Sequence, residues 1–290
     1  MAGLKEVRER ITSIGSTMQI TSAMKMVSAA KLKRAQDAIT RMRPYASKLK
    51  EILENLSATL DASEGGAYST ERPIEKVLIV AVSSNRGLCG GFNSNVNKQI
   101  LSLAGGVYAG KQIDILSIGK KSGEFLARRE FNVIERNDSV YDNLTFDVIA
   151  PIAESIMEAF VEGKYDRVDV VYNQFKNAAT QICVAEQFLP VAPPEATEEK
   201  GSNTDYIFEP AKEEIVLDLI PRSLKTQLYK ATLDSHASEH GARMTAMHKA
   251  TDNASDLLKE LKLSYNKARQ AAITNEILEI VGGAAALEEG

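Results

Sequence analysis

Three groups of residues have types and spacings that could do chemistry. The first is Ser83-Ser84-Asn85-Arg86-Gly87-Leu88-Cys89-Gly90-Gly91-Phe92-Asn93, which follows an apolar run and opens a helical pattern. Glycine amides and a helix N-terminus attract anions, so a nucleotide-binding fold places phosphate at such a turn. The stretch fits neither G-x-G-x-x-G nor G-x-x-x-x-G-K-[ST], and it has no P-loop lysine. No acidic residue is persuasively placed for a ribose. A tight strand-to-helix turn with polar contacts to a neighbour is the plainer reading. The second group, His236-Ala-Ser-Glu239-His240, fits H-x-x-E-H. Two histidines at i, i+4 share a helix face and could hold Zn²⁺. His240 falls on an apolar seam with no pocket-forming segment around it, so a chance match on a helix accounts for the motif better. The third is Cys89, near a helix N-terminus that lowers a thiol pKa. It has no histidine base nearby in sequence and reads as a small buried residue. Cys183 alternates with Ile182 and Val184 on a strand and reads as core. No catalytic constellation emerges, and neither a metal nor a cofactor is expected.

The elements that would position these residues fall into two kinds. The chain ends repeat apolar residues about every 3.5 positions, the period of a coiled-coil seam. One seam position runs Leu4, Ile11, Met18, Lys25, Leu32, Ile39, Ala46, Leu53, Leu60, and the other Val7, Ile14, Thr21, Ser28, Ala35, Met42, Leu49, Leu56. A second seam runs Ala237, His240, Met244, Met247, Thr251, Ala254, Leu258, Leu261, Tyr265, Ala268, Ala272. It then shifts by one residue to Ile273, Ile277, Ile280, Ala284, Leu287. Together they predict one long antiparallel coiled coil, a rod with a separate domain as its foot. A helix over 3–58 would be roughly 80 Å long at about 1.5 Å per residue. Pro44 lies inside it and predicts a bend rather than an end.

Between the ends, the pattern switches to alternating strands and helices. Strands are expected over 76–82, 112–118, 132–135, 167–174 and 181–189, and helices over 88–103, 120–130 and 146–162. This alternation predicts a mostly parallel, Rossmann-like sheet, with the last two strands forming a hairpin around Lys176 to Thr180. The fold class is therefore α/β: a long antiparallel coiled coil of N- and C-terminal helices plus a central Rossmann-like α/β domain. The segments are 1–60, 74–191 and 207–287. Residues 61–73 read as a linker and 192–205 as a mobile loop. Helix resumes near Pro210, and Pro221 should break it and then start the final helix.

Composition narrows the class. The chain of 290 residues has two cysteines, which form no disulfide framework, so a reducing compartment is the default. No apolar run approaches the roughly 18 residues of a membrane span, and the start MAGLKEVRER reads as neither signal nor transit peptide. The net charge of −4 hides an asymmetry: residues 1–60 hold 11 basic and 5 acidic side chains. A basic helix on an acidic protein suggests an acidic partner surface, with nucleic acid the less favoured candidate and not expected as a partner; a solvated helix face is the bland alternative. The seam is also thin over Gln19 to Lys33, where Thr21, Lys25 and Ser28 replace Leu or Ile. Met24, Met26, Met244 and Met247 add deformable surface. That pattern is open to two readings, local coiled-coil adjustment or a rod that slides against a surrounding partner.

Three stretches carry a resemblance to a known family. They are Ile20-Thr-Ser-Ala-Met24-Lys25-Met26-Val27-Ser-Ala-Ala-Lys31-Leu32, the loop Asn85 to Asn93, and Ile273-Thr274-Asn-Glu276-Ile277-Leu278-Glu279-Ile280-Val281-Gly282-Gly283-Ala284-Ala285-Ala286-Leu287. Ala242-Arg243-Met244 with Ala250-Thr251-Asp252-Asn253-Ala254 is a fourth. The chain resembles, over its whole length, the gamma subunit of bacterial F-type ATP synthases. That resemblance implies a non-catalytic central rotor shaft, one copy per complex. It would turn inside the hexamer of alpha and beta subunits and stand, with the epsilon subunit, on the membrane proteolipid c-subunit ring. The location implied is the cytoplasmic side of the plasma membrane, as a peripheral protein. By position, Met24 and Lys25 correspond to the contact with the catalytic subunits, and Lys31, Lys33 and Arg34 would meet acidic levers on the beta subunits. Arg243, Thr274 and Glu276 would support that contact from the second helix, and Tyr206 would lie near the ring. The insert and paired cysteines of chloroplast relatives are missing, so thiol control is not expected. Two other classes stay in view: a nucleotide-binding enzyme dimerised by helical arms, and a tethering coiled coil.

Overall fold

The β-branched runs between residues 76 and 189 fold into one five-stranded sheet in the computed structural model, which describes residues 4–57, 66–191 and 212–288. The strands are β1 (Lys76–Val82), β2 (Gln112–Ile118), β3 (Asn132–Asn137), β4 (Arg167–Phe175) and β5 (Gln181–Leu189). Their order is β3-β2-β1-β4-β5; the first four are parallel and β5 runs antiparallel to β4. The helices are α1 (Leu4–Ser57), α2 (Phe92–Gly105), α3 (Lys120–Ala127), α4 (Phe146–Val161) and α5 (Lys212–Glu288). A sheet covered on both faces needs apolar residues at every position, which is why β1 reads KVLIVAV without alternation. Leu78, Val80 and Val82 pack with Ile156 and Phe160 of α4 and Leu228 of α5. Val77, Ile79 and Ala81 pack with Val96 and Ile100 of α2 and Leu126 of α3. The predicted hairpin forms, and the Asn177 side chain accepts hydrogen bonds from the backbone N–H of Ala179 and Thr180.

The described residues form two compact units, one of residues 28–243 and one of residues up to Val27 with those from Met244 onward. In the second unit α1 and α5 run antiparallel. Thr21 and Thr251 share a hydroxyl hydrogen bond of 2.8 Å, and Arg8 donates to the Tyr265 hydroxyl at 2.9 Å. The predicted seam is the one used: Val7, Thr21, Met247 and Ala254 are buried and Ile11, Ile14, Met18, Leu258, Leu261 and Tyr265 half-buried. Within the sheet-bearing unit the same register continues through Ser28, Leu32, Ala35, Ile39 and Leu49, all buried.

Four expectations are corrected. The shifted seam does not form among the described residues, where Arg8 already lies opposite Tyr265 and only the first turn of α1 lies beyond it. Ile273, Ile277, Ile280 and Ala284 are exposed, Ile280 at 71%; the Leu287 side chain lies outside the described set. Pro221 does not break α5. Ile220 and Leu224 on either side of it are anchored in the core, and that packing offsets the lost backbone hydrogen bond. The helix expected from residue 88 starts only at Phe92, because Leu88 (φ 62°) and Gly90 (φ 59°) are left-handed. The described part of the supposed linker is docked. Tyr68 packs against the core and accepts from the Val191 N–H, and the Arg72 guanidinium lies over the Phe160 ring at 5.2 Å. The loop 192–205, Tyr206 and the resumption of helix at Pro210 lie outside the described residues. Among the described residues, no helix is long and apolar enough to cross a membrane.

Candidate functional site

In this sheet β1 neighbours both β2 and β4, so the chain changes direction beside β1, and the crevice outside the strand ends there is where such folds bind ligands. The Ser83–Asn93 turn borders it. Ser83 Oγ accepts from the Ser122 N–H at 3.0 Å, and Asn85 bridges the Asp138 carbonyl and the Lys120 N–H. The Ser84 N–H donates to Asn93 Oδ1 at 3.0 Å, and its hydroxyl donates to the Arg86 carbonyl at 2.8 Å. The group received by this turn comes from α5. The Arg243 guanidinium donates to Ser84 Oγ at 3.3 Å and to the carbonyls of Arg86 and Gly87 at 3.4 Å each, while its other nitrogen reaches Glu239 at 2.6 Å. Cys89, Phe92 and Ala242 pack together beside it.

The histidine motif lies one turn back on the same helix. His236 and His240 approach Nε2 to Nε2 at 3.1 Å, so one ring donates to the other, and Tyr141 stacks on His236. Glu239, the acid of the motif, is committed to Arg243. Among the described residues no three His, Cys, Asp or Glu side chains are grouped to hold a metal ion. Burial, with His236, Arg243 and Lys31 adding to it, pushes the His240 pKa down to about 3. His236 is lowered too, chiefly by burial. Burial raises the Cys89 thiol against the pull of Arg243 and pushes Cys183 up to about 11. The helix-terminus effect expected at Cys89 is thus outweighed by desolvation. A depression of about 410 Å³, lined by Tyr108, Lys111, Asp114, Glu130 and Asn132, lies where β2 and β3 begin, not at the crevice.

Met24 and Lys25 are half-buried on α1, and Lys31, Lys33 and Arg34 are exposed further along it. Ile20, Met26 and Val27 are exposed at 59%, 64% and 58%, an apolar surface on the same helix. Thr274 and Glu276 are exposed on the C-terminal part of α5, with Thr274 Oγ1 donating to the Gln270 carbonyl. Arg243 is instead buried. The Glu239–Arg243 pair was missed in the sequence, although Glu and Arg at i, i+4 signal a shared helix face.

The fold defines the class: a mostly parallel α/β sheet carried in the chain between two long helices that pair antiparallel. A family model described as ATP synthase matches residues 3–287. The ATP synthase gamma chain of Flavobacterium psychrophilum is 66% identical over 288 residues, covering 99% of this chain and 100% of that one. That of Flavobacterium johnsoniae is 65% identical over 287 residues, covering 99% of each. The chain belongs to the ATP synthase gamma chain family. Among solved structures, a chain of the Euglena gracilis mitochondrial ATP synthase (OSCP/F1/c-ring) shares the fold with a TM-score of 0.72 at 24% identity, over 99% of this chain and 95% of that one. A chain of the Tetrahymena thermophila mitochondrial ATP synthase central stalk and c-ring matches with a TM-score of 0.59 at 27% identity, over 80% of this chain and 99% of that one.

Proposed function

We propose that this chain is the central rotor shaft of an F-type ATP synthase and is itself non-catalytic. The observation that carries the reading is the full-length match to gamma chains on a chain whose two ends pair as an antiparallel coiled coil. The partners are the alpha and beta subunits of the catalytic hexamer, the epsilon subunit and the membrane c-subunit ring, with one copy of this chain per complex. It works at the cytoplasmic side of the plasma membrane as a peripheral subunit. Ring rotation turns the shaft, and each orientation favours a different conformation at each catalytic site through differential contacts. ATP chemistry belongs to the beta subunits.

Met24 and Lys25 form the contact in the hexamer's neck, and Lys31, Lys33 and Arg34 face acidic levers on the beta subunits. Exposed lysines on a basic helix suit that role. Thr274 and Glu276 support the contact from the exposed end of α5, and Arg243 supports it from within. The exposed Ile277, Leu278, Ile280 and Val281 need an apolar surround, which the bore of the hexamer supplies. The test is replacement: this chain is expressed in place of the gamma subunit of a related bacterial enzyme, and ATP-driven proton pumping is measured in membrane vesicles. Restored pumping is expected. ATP hydrolysis without pumping, or no assembly, contradicts the proposal.

A further inference from the structure

The turn after β1 has the position of a phosphate loop and the opposite polarity. Phosphate loops aim backbone N–H groups at an anion. Here the Arg86 and Gly87 carbonyls and the Ser84 hydroxyl converge on the Arg243 guanidinium, and a phosphate placed there would meet oxygen atoms. The left-handed Leu88 and Gly90 belong to this turn, and a non-glycine residue holds such a backbone only where its surroundings fix it. The Arg86 carbonyl also accepts from the Ser84 hydroxyl and the Asn93 amide, so the cradle is braced from its own side. Arg243 and Glu239 have side chains 8% and 9% exposed. Both residues are on α5, so Glu239 holds the Arg243 side chain from its own helix while the turn holds it from the sheet side, and removing either partner would leave a buried charge uncompensated.

We infer that the Ser84–Gly87 turn is a guanidinium cradle and that Arg243, seated in it and held by Glu239, locks α5 to the α/β sheet so that the two turn as one body. Arg243 is a positioning residue: it transmits load through the turn and touches no nucleotide. The inference rests on the rotor reading above and names the joint inside the rotor that carries torque from the sheet into the helix.

The experiment uses the assembled complex in proton-tight vesicles, carrying the full chain as parent, Arg243→Met, Arg243→Lys, Glu239→Gln, Ser84→Ala, or Arg243→Met with Ser84→Ala. The readout is protons pumped per ATP hydrolysed, which a lower yield of assembled enzyme does not move. Arg243→Met should lower the ratio at least about threefold and Arg243→Lys less, since an ammonium satisfies part of the cradle but not the planar fork. Adding Ser84→Ala to Arg243→Met should lower it no further, because both changes open one joint. A parent-like ratio in Arg243→Met overturns the lock, and so does a double variant whose losses multiply. Should Arg243→Met fail to assemble, Glu239→Gln decides by the same ratio, a parent-like value again overturning the lock. Failure of the parent chain itself to couple counts against the rotor reading instead.

Discussion

His240 is sensitive to a change of pH, although water hardly reaches it. Its ring sits against His236, with Tyr141, Glu239, Arg243 and Lys31 around the pair. Its folded pKa is about 3 against an ordinary 6.5. The unfolded chain therefore takes up the proton first as pH falls below about 6.5, and stability is lost from there down towards the folded pKa. The slope reaches up to about 1.4 kcal/mol per pH unit for one group. His240→Gln should flatten the curve of unfolding temperature against pH between about 6.5 and 4.5; curves that stay parallel to the parent's contradict this assignment. Gly119 carries a different constraint. Its φ is +98°, and an added Cβ would stand 2.0 Å from the Ser83 carbonyl oxygen. Gly119→Ala should cost more than about 2 kcal/mol, read as a lower urea midpoint. At this scale the sequence was partly legible. Glu239 and Arg243 could be placed on one face of a helix, but the inward turn of the Arg86 and Gly87 carbonyls could not, since it depends on a left-handed Leu88, and leucine does not signal that conformation.

Among the elements, α1 and α5 pair through a seam whose period stands in the sequence and whose end does not. Periodicity marks which face is apolar; it cannot say where the partner helix runs out. That is why Leu32, Ala35 and Ile39 fall where expected, whereas Ile273, Ile277 and Ile280 are bare. Leu32→Ala should destabilise the chain by about 2–4 kcal/mol in urea unfolding, as a buried core truncation does. Ending the chain after Ala272 should leave its unfolding temperature within about a degree of the parent, because the described side chains it removes, Ile273 to Ala284, are exposed and surface changes of this kind are small. A large drop would show that the terminal turns stabilise the chain after all. The sheet was the most legible element, with β1, β2 and β5 falling on their expected residues, because runs buried on both faces have few alternatives. Pro221 misled for the converse reason: local propensity yields where neighbouring turns are anchored in the core.

For the whole molecule, charge and bare surface point to one arrangement. The exposed apolar residues Ile20, Met26 and Val27 and the exposed α5 end are costly in water, whereas a basic α1 is well solvated and attracts an acidic neighbour; both suit the sleeve proposed for the shaft. Lys25→Glu should impair coupling more than folding: the variant assembles, and its proton pumping per ATP hydrolysed falls several-fold, as a like charge facing acidic residues would impose. Unchanged coupling would remove Lys25 from the contact. The most direct measurement of the central claim is the native mass of what co-purifies with this chain from gently stripped membranes. The account predicts one copy of the chain with three alpha and three beta subunits, active as an ATPase. A free monomer, or a homodimer that binds nucleotide, would contradict it.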